Sequence, residues 1–346
     1  MSSKMRLVKL VSRLVVAGLL TLAGASAPAQ DPAAPKAEPP TVPDLVAAAY
    51  RWGDFDELER LYAVYGKAGV RSEQTGTPRI EHFWMGIGKI DDANLTVSED
   101  YFVQLDALTS LWAREHPRSV LAQLLVVSAL RGHAAFYRGG GYADTVSPAG
   151  WAGFRKYLGL ALAQLQRTET LAANDSSWNA LMLATGRDLS WSKRDLMAVF
   201  EAGFAKNPDH DNLYFFMEDA LLPKWGGDLA SLDRFIAGVV KKTRDRRGLE
   251  MYARLYAGLS YGELHQRLFS NSNASWPSMK VGFEDWLKRY PHADHQNMYA
   301  YFACMADDRT VLREQLELIG DKFDPLFWGD NPQRDFEMCR TLARQG

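Results

Sequence analysis

Apolar residues recur along most of this chain at three- and four-residue intervals, the spacing that lines one face of an α-helix. The stretch from Asn212 to Tyr261 shows it most clearly. Leu213, Phe216, Met217, Ala220 and Leu221 share one face of a helix that Pro223 ends. Gly226 and Gly227 permit a turn with positive φ, and Asp228 stands where an N-cap would receive the first free amides of a second helix. That helix carries Leu229, Leu232, Phe235, Ile236, Val239 and Val240 on its apolar face. It closes on Lys241, Lys242, Arg244, Arg246 and Arg247 before Gly248, cations that suit the negative end of a helix dipole and read as a solvated helix end. A third helix follows with Met251, Tyr252, Leu255, Tyr256 and Leu259.

The same pattern runs through the rest of the chain. Val46, Ala47 and Tyr50 face one way, Gly53-Asp54 turns the chain, and Phe55, Leu58, Leu61, Tyr62 and Tyr65 line a second helix, a pairing like that of a tetratricopeptide unit. Residues 70–97 break the period with Gly76, Pro78, Gly86 and Gly88 and read as a long ordered loop or a short helical insertion. After Ser98 a helix carries Phe102, Leu105, Leu108, Leu111 and Trp112. After Ser119 another, apolar nearly all round, reads as central to the fold.

One join recurs. An aromatic residue, a basic residue and a helix-ending proline follow one another at Trp112 to Pro117, Phe204 to Pro208 and Trp286 to Pro291. The prolines are 91 and 83 residues apart, about two helical pairs of the size found in helical repeats. No segment sustains the period-two alternation of a strand. The expected fold is therefore all-α, an irregular α-solenoid of tetratricopeptide-like helical pairs forming a single domain over residues 44–346.

Composition adds an address. Lys4, Arg6, Lys9 and Arg13 precede a twelve-residue apolar run, Leu14 to Ala25, and small residues follow, so residues 1–29 read as a secretory signal cleaved after Ala29. The apolar run is too short to span a bilayer comfortably, and the reading leaves no membrane span after cleavage. Residues 30–43, rich in proline and alanine, read as a flexible tether. Loss of four positive charges takes the formal charge from −2 to −6, which gives no support to nucleic-acid binding. Export, periplasmic or secreted, also brings the two cysteines, Cys304 and Cys339, into an oxidising setting. They are a candidate disulfide or two buried thiols.

Candidate chemistry is sparse. Asp209-His210-Asp211 and His292-Ala293-Asp294-His295 group metal-ligand types, but each follows a proline and reads as a helix cap. Glu218-Asp219 reads as an exposed pair, since adjacent helical positions diverge by about 100°. No nucleophile elbow occurs, and neither a cofactor, a metal nor a catalytic residue is implied. The candidate binding surface is Arg138, Tyr142, Trp225, Tyr252 and Arg254, aromatic rings with arginines in loops and helix starts that a solenoid could bring to one face. Alternatively, Trp225 and Tyr252 staple helical pairs, and Arg138 and Arg254 cap helix carbonyls.

At Arg138-Gly139, Tyr142-Ala143, Trp151, Pro223-Lys224-Trp225-Gly226-Gly227, Tyr252-Ala253-Arg254 and Ala303-Cys304 the chain resembles a bacterial family catalogued as domain of unknown function 4034, over about residues 44–330. The resemblance implies a helical, repeat-like fold and carries no activity with it. The functional expectation is a protein- or peptide-binding or scaffolding module of the cell envelope. The alternative is an envelope hydrolase acting on peptide or glycan. Amino-terminal sequencing of the purified mature protein should begin at Gln30, and a chain still starting at Met1 would refute export by cleavage.

Overall fold

The computed structural model describes residues 40–67, 69–92 and 98–345. The signal and most of the tether lie outside the described residues, as does the end of the 70–97 insertion. Every regular element among them is helical, and an isolated antiparallel bridge between Arg71 and Pro78 is their one β feature.

Helix α1 (Val42–Arg51) begins inside the stretch read as tether, and its cause is local. Thr41 and Asp44 form a capping box, each side chain accepting the other's backbone N–H, while Pro43 occupies the first turn, where a missing N–H costs nothing. Helix α2 (Phe55–Tyr65) starts from Asp54, whose carboxylate accepts the Glu57 amide. The insertion folds into α3 (Arg79–Asp91), the helical one of its two readings. Ile80, Phe83, Ile87 and Ile90 are buried along it. Gly86, which obscured the period, is where α3 meets α1: a Cβ there would come within 2.6 Å of Val46 and 2.7 Å of the Pro43 carbonyl.

Next come α4 (Glu99–Glu115), α5 (Val120–Arg138) and α6 (Pro148–Arg167). By length and composition α5 could cross a membrane, yet it lies between α4 and α6 with Leu121, Leu124, Leu125 and Val127 buried. The short α7 (Glu169–Ala172) leads to α8 (Ser176–Asp188), α9 (Lys193–Lys206), α10 (Asn212–Ala220) and α11 (Leu229–Arg247). The chain continues through α12 (Glu250–Leu259), the one-turn α13 (Leu268–Asn271), α14 (Trp276–Arg289), α15 (Ala293–Met305), α16 (Arg309–Ile319) and α17 (Pro332–Arg344). Helices pack mostly on near neighbours in the chain: α5 on α6, α8 on α9, α12 on α14, α15 on α16. The recurring join marks the ends of α4, α9 and α14.

The apolar interior forms two clusters. One runs from Val46 on α1 to Met182 on α8, the other from Ala180 on α8 to Ala343 on α17, so α8 has a face in each. Trp191 and Val199 pack against both.

Cys304 of α15 and Cys339 of α17 are bonded, with Cα atoms 5.6 Å apart and a sequence separation of 35. Both are buried, and the link fastens the last helix to the second cluster. Closing a loop of that length removes chain entropy from the unfolded state worth about 4 kcal/mol. Replacing both cysteines by alanine should therefore lower the urea-unfolding free energy by roughly 2–4 kcal/mol. Full maleimide labelling of the wild-type chain in denaturant without reductant would disprove the bond.

Candidate functional site

The turn that follows α9 places a carboxylate in the interior. Pro208 prevents α9 from continuing, and three residues later Asp211 occupies the N-cap position of α10, as its sequence suggested. Its side chain makes no capping bond, however, and is fully buried. Arg71 donates to both oxygens, Nη2 to Oδ1 at 2.9 Å and Nη1 to Oδ2 at 3.0 Å. Arg247 adds a bond of 2.9 Å to Oδ1, and Arg254 Nη1 donates to Oδ2. Four charge-assisted bonds use the full acceptor capacity of a carboxylate.

The reading of residues 241–247 as a solvated helix end holds for Lys241 and Arg244 but not for Arg247, which is buried against Asp211, Asp209 and Glu250. Glu250, also buried, pairs with Arg254 at 3.2 Å and with Arg289. Burial pushes its carboxyl up, against the pull of Arg254 and Arg289.

The cap that Asp211 does not supply comes from the insertion. Glu81 Oε1 on α3 accepts the Asn212 N–H at 2.8 Å, across 131 residues of chain. Burial pushes the Glu81 carboxyl up to about 8, and the Asp211 charge acts in the same direction. The loop before α3 is fixed by its own bonds: Ser72 N–H to the Thr77 carbonyl at 2.8 Å, Gly76 N–H to the Ser72 carbonyl, and Arg71 Nη1 to the Gly76 carbonyl. Gly76 has φ +68, and a Cβ there would collide with the ring of Tyr290.

Beside this cluster lies a cavity of about 400 Å³, bounded by the 70–78 loop and α3 on one side and by α10, α12, α14 and α15 on the other. Phe215, Tyr261, Met298 and Phe327 give it apolar walls. The Arg254 guanidinium lies 5.2 Å from the Trp286 ring centre and 5.5 Å from that of Phe215, both in cation–π range. Only Nη1 of Arg254 is spent on hydrogen bonds within the described residues. The π-turn Ser260–Leu264 interrupts the end of α12 and sets Tyr261 at the wall, its hydroxyl donating to the Phe327 carbonyl at 2.9 Å.

His295, read from sequence as a cap, lines the cavity, while His292 does the capping by accepting the Asp294 amide. The His295 ring stacks on Trp286 at 3.8 Å, and Nδ1 meets the Tyr290 carbonyl at 2.8 Å. A carbonyl can only accept, so Nδ1 carries the proton and Nε2 keeps its lone pair. Burial, helped by the Arg254 charge, lowers the His295 pKa to about 4 and leaves the ring neutral at pH 7. Asp294 also lines the space, its carboxyl pushed up by burial.

Of the five residues proposed from sequence, Arg254 alone lines this cavity. It pairs with carboxylates rather than capping carbonyls. Arg138 closes the glycine turn after α5 by donating to the Gly139 and Gly141 carbonyls, and Tyr142 beside it is 85% exposed. Trp225 lies under the Arg187 guanidinium at 4.8 Å, and its carbonyl accepts from Lys193 at 2.5 Å. Tyr252 pins the loop before α14, accepting the Ser275 N–H at 3.0 Å and donating to the Asn273 carbonyl at 3.3 Å. Glu218 and Asp219 are not an exposed pair: Glu218 is buried with Oε1 unpartnered, and Asp219 meets Arg187 and Lys224.

Asp211, Arg71, Arg247, Glu81, Trp286 and His295 were not singled out as site residues in the sequence. One signal was present, since Arg247, Glu250 and Arg254 at spacings of three and four form a charged stripe beside Met251 and Leu255. The chain matches none of the protein-family models, curated proteins or solved structures with which it was compared.

The Glu81 carboxyl makes stability depend on pH with a definite sign. Its folded pKa, about 8, exceeds the ordinary 4.5, so its contribution is complete below pH 4.5 and is lost as pH rises toward 8. The change is on the order of 3–5 kcal/mol. Glu81→Gln keeps an acceptor for the Asn212 amide but cannot ionise. The unfolding free energy of wild type minus variant should therefore fall steadily between pH 5 and 8 in urea titrations. Parallel curves would show that Glu81 does not titrate in this range.

Proposed function

We propose that this chain is an exported helical-repeat protein of the cell envelope that binds a peptide or protein partner through the cavity beside Arg254. The observation that carries the reading is the Arg254 guanidinium, within cation–π range of both Trp286 and Phe215 at the wall of an aromatic-lined space with most of its donors unspent among the described residues. A cavity of about 400 Å³ falls toward the small end of ligand pockets, about 300–1,000 Å³. It suits one or two residues of a partner rather than a long segment.

A solenoid-like arrangement is proposed with it. Packing chiefly between sequence neighbours, and the aromatic–basic–proline join at three helix ends, support that arrangement. The resemblance to the domain of unknown function 4034 family is consistent with this build and adds no activity.

Gly258 offers the test. It lines the cavity on α12, and a Cβ there would make ordinary contacts, the nearest 3.5 Å from Glu218 Oε2. Gly258→Met should fill the space, while the removal of a helical glycine favours the fold by up to about 1 kcal/mol. Random peptides passed over the immobilised mature chain should be enriched on wild type and not on this variant, with mass spectrometry recording whether any are cleaved. Equal enrichment on both proteins would overturn the cavity reading, and cleavage by wild type alone would favour the hydrolase instead.

A further inference from the structure

The polar groups around the cavity restrict what its occupant can be. A guanidinium has two forked edges, and Arg254 uses Nη1 for Asp211 and Glu250. The fork formed by Nε–H and Nη2–H carries no hydrogen bond to the described residues, and its two parallel donors match the spacing of carboxylate oxygens. The joined cluster holds five arginines, Arg71, Arg246, Arg247, Arg254 and Arg289, against the carboxyl groups of Asp209, Asp211 and Glu250. Glu81 beside the cluster is held protonated through most of the neutral range by burial. That salt-bridged cluster therefore holds more cations than carboxylates, and the group that complements the free Arg254 fork is an anion.

Two acceptors stand on the same wall. His295 Nε2 keeps its lone pair because Nδ1 is committed to the Tyr290 carbonyl, and Asp294, which precedes it on α15, also lines the cavity, with Oδ1 3.3 Å from His292 Nδ1. An anion flanked by an N–H donor satisfies both sets of groups. The remaining surface is apolar: Phe215, Tyr261, Met298 and Phe327.

Resting on the binding role proposed above, we infer that the cavity takes a free α-carboxylate borne by an apolar or aromatic residue. Arg254 holds the carboxylate through Nε–H and Nη2–H, and Asp294 and His295 accept from the adjoining N–H group. The carboxyl-terminal residue of a peptide and a free amino acid share this chemistry. They differ in the second contact, since an amino acid presents an ammonium to Asp294 and a peptide presents one amide N–H.

Calorimetric titration of the mature chain at pH 7.5 with three probes tests the inference. The probes are acetyl-Gly-Gly-Phe with a free carboxylate, the same peptide as its carboxyl-terminal amide, and L-phenylalanine. The free acid should bind at least about tenfold more tightly than the amide, the loss expected for a charge-assisted fork. Gly258→Met should abolish acid binding with its thermal midpoint unchanged or raised. Met298→Trp repeats the block from α15 should the first variant misfold. Binding of L-phenylalanine as tight as that of the acid peptide identifies free amino acids as the source, and its failure beside a binding acid peptide identifies peptide termini; either result supports the carboxylate assignment. Equal binding of acid and amide, or acid binding undiminished in both filled variants, overturns it. If pooled peptides are retained through the cavity yet none of the three probes binds, the carboxylate assignment falls while the binding role stands. If neither pool nor probes bind, both fall.

Discussion

A carboxylate fully out of water, such as that of Asp211, is tolerable only while its cations stay in place. Desolvating one ion costs several kcal/mol even after relaxation, and the attraction of Arg71, Arg247 and Arg254 offsets this only with good geometry and every lone pair engaged. Those arginines come from the insertion loop, the end of α11 and the middle of α12. Asp211 therefore fixes three separately encoded pieces of backbone relative to the start of α10. Removing Asp211 would leave three cations facing one another, and removing an arginine would leave lone pairs of a buried carboxylate unsatisfied, so the arrangement holds as a unit.

The cavity is a by-product of the same constraint. Arg254 is oriented by its bond to Asp211, and with one nitrogen engaged there its ring-stacked face and free fork point elsewhere. The opposite wall exists because Arg71 and Glu81 draw the 70–78 loop and α3 over α10. Aromatic walls around a cation raise the strength of its electrostatic contacts by excluding water. Arg254 thus holds Asp211 with one nitrogen and leaves another edge of the same guanidinium free.

Helix positions were largely legible in the sequence, because apolar periodicity, prolines and N-cap residues act locally. Asp54, Ser119 and Asp228 cap the helices they precede in sequence. The site was legible only in part. Arg254 could be picked out, but the Asp211 carboxylate it binds lies 43 residues earlier in the chain, and Arg71, which binds the same carboxylate, lies 183 residues earlier, where no local pattern reveals them. Asp211 and His295 looked like caps because caps use the same residue types after the same prolines. The charge of Arg247 suited the helix end by the dipole argument, which is indifferent to whether that end faces water. In α3, Gly86 hid the helical period because close packing against α1 requires the residue that helix propensity disfavours.

The cap that Glu81 lends to Asn212 bears on how the chain reaches its fold. Stacked helical arrays ordinarily assemble by nearest-neighbour propagation, since each pair needs only the one beside it. Here the first amide of α10 is capped by a residue 131 positions away, and Arg71 must span 140 positions to meet Asp211. Closing so long a loop has an entropic cost that is incurred before the contact rewards it, so this latch forms late and slowly. Once shut, it ties α3 of the first apolar cluster to the start of α10 in the second, so the loss of either cluster removes a buried ion-pair partner from the other.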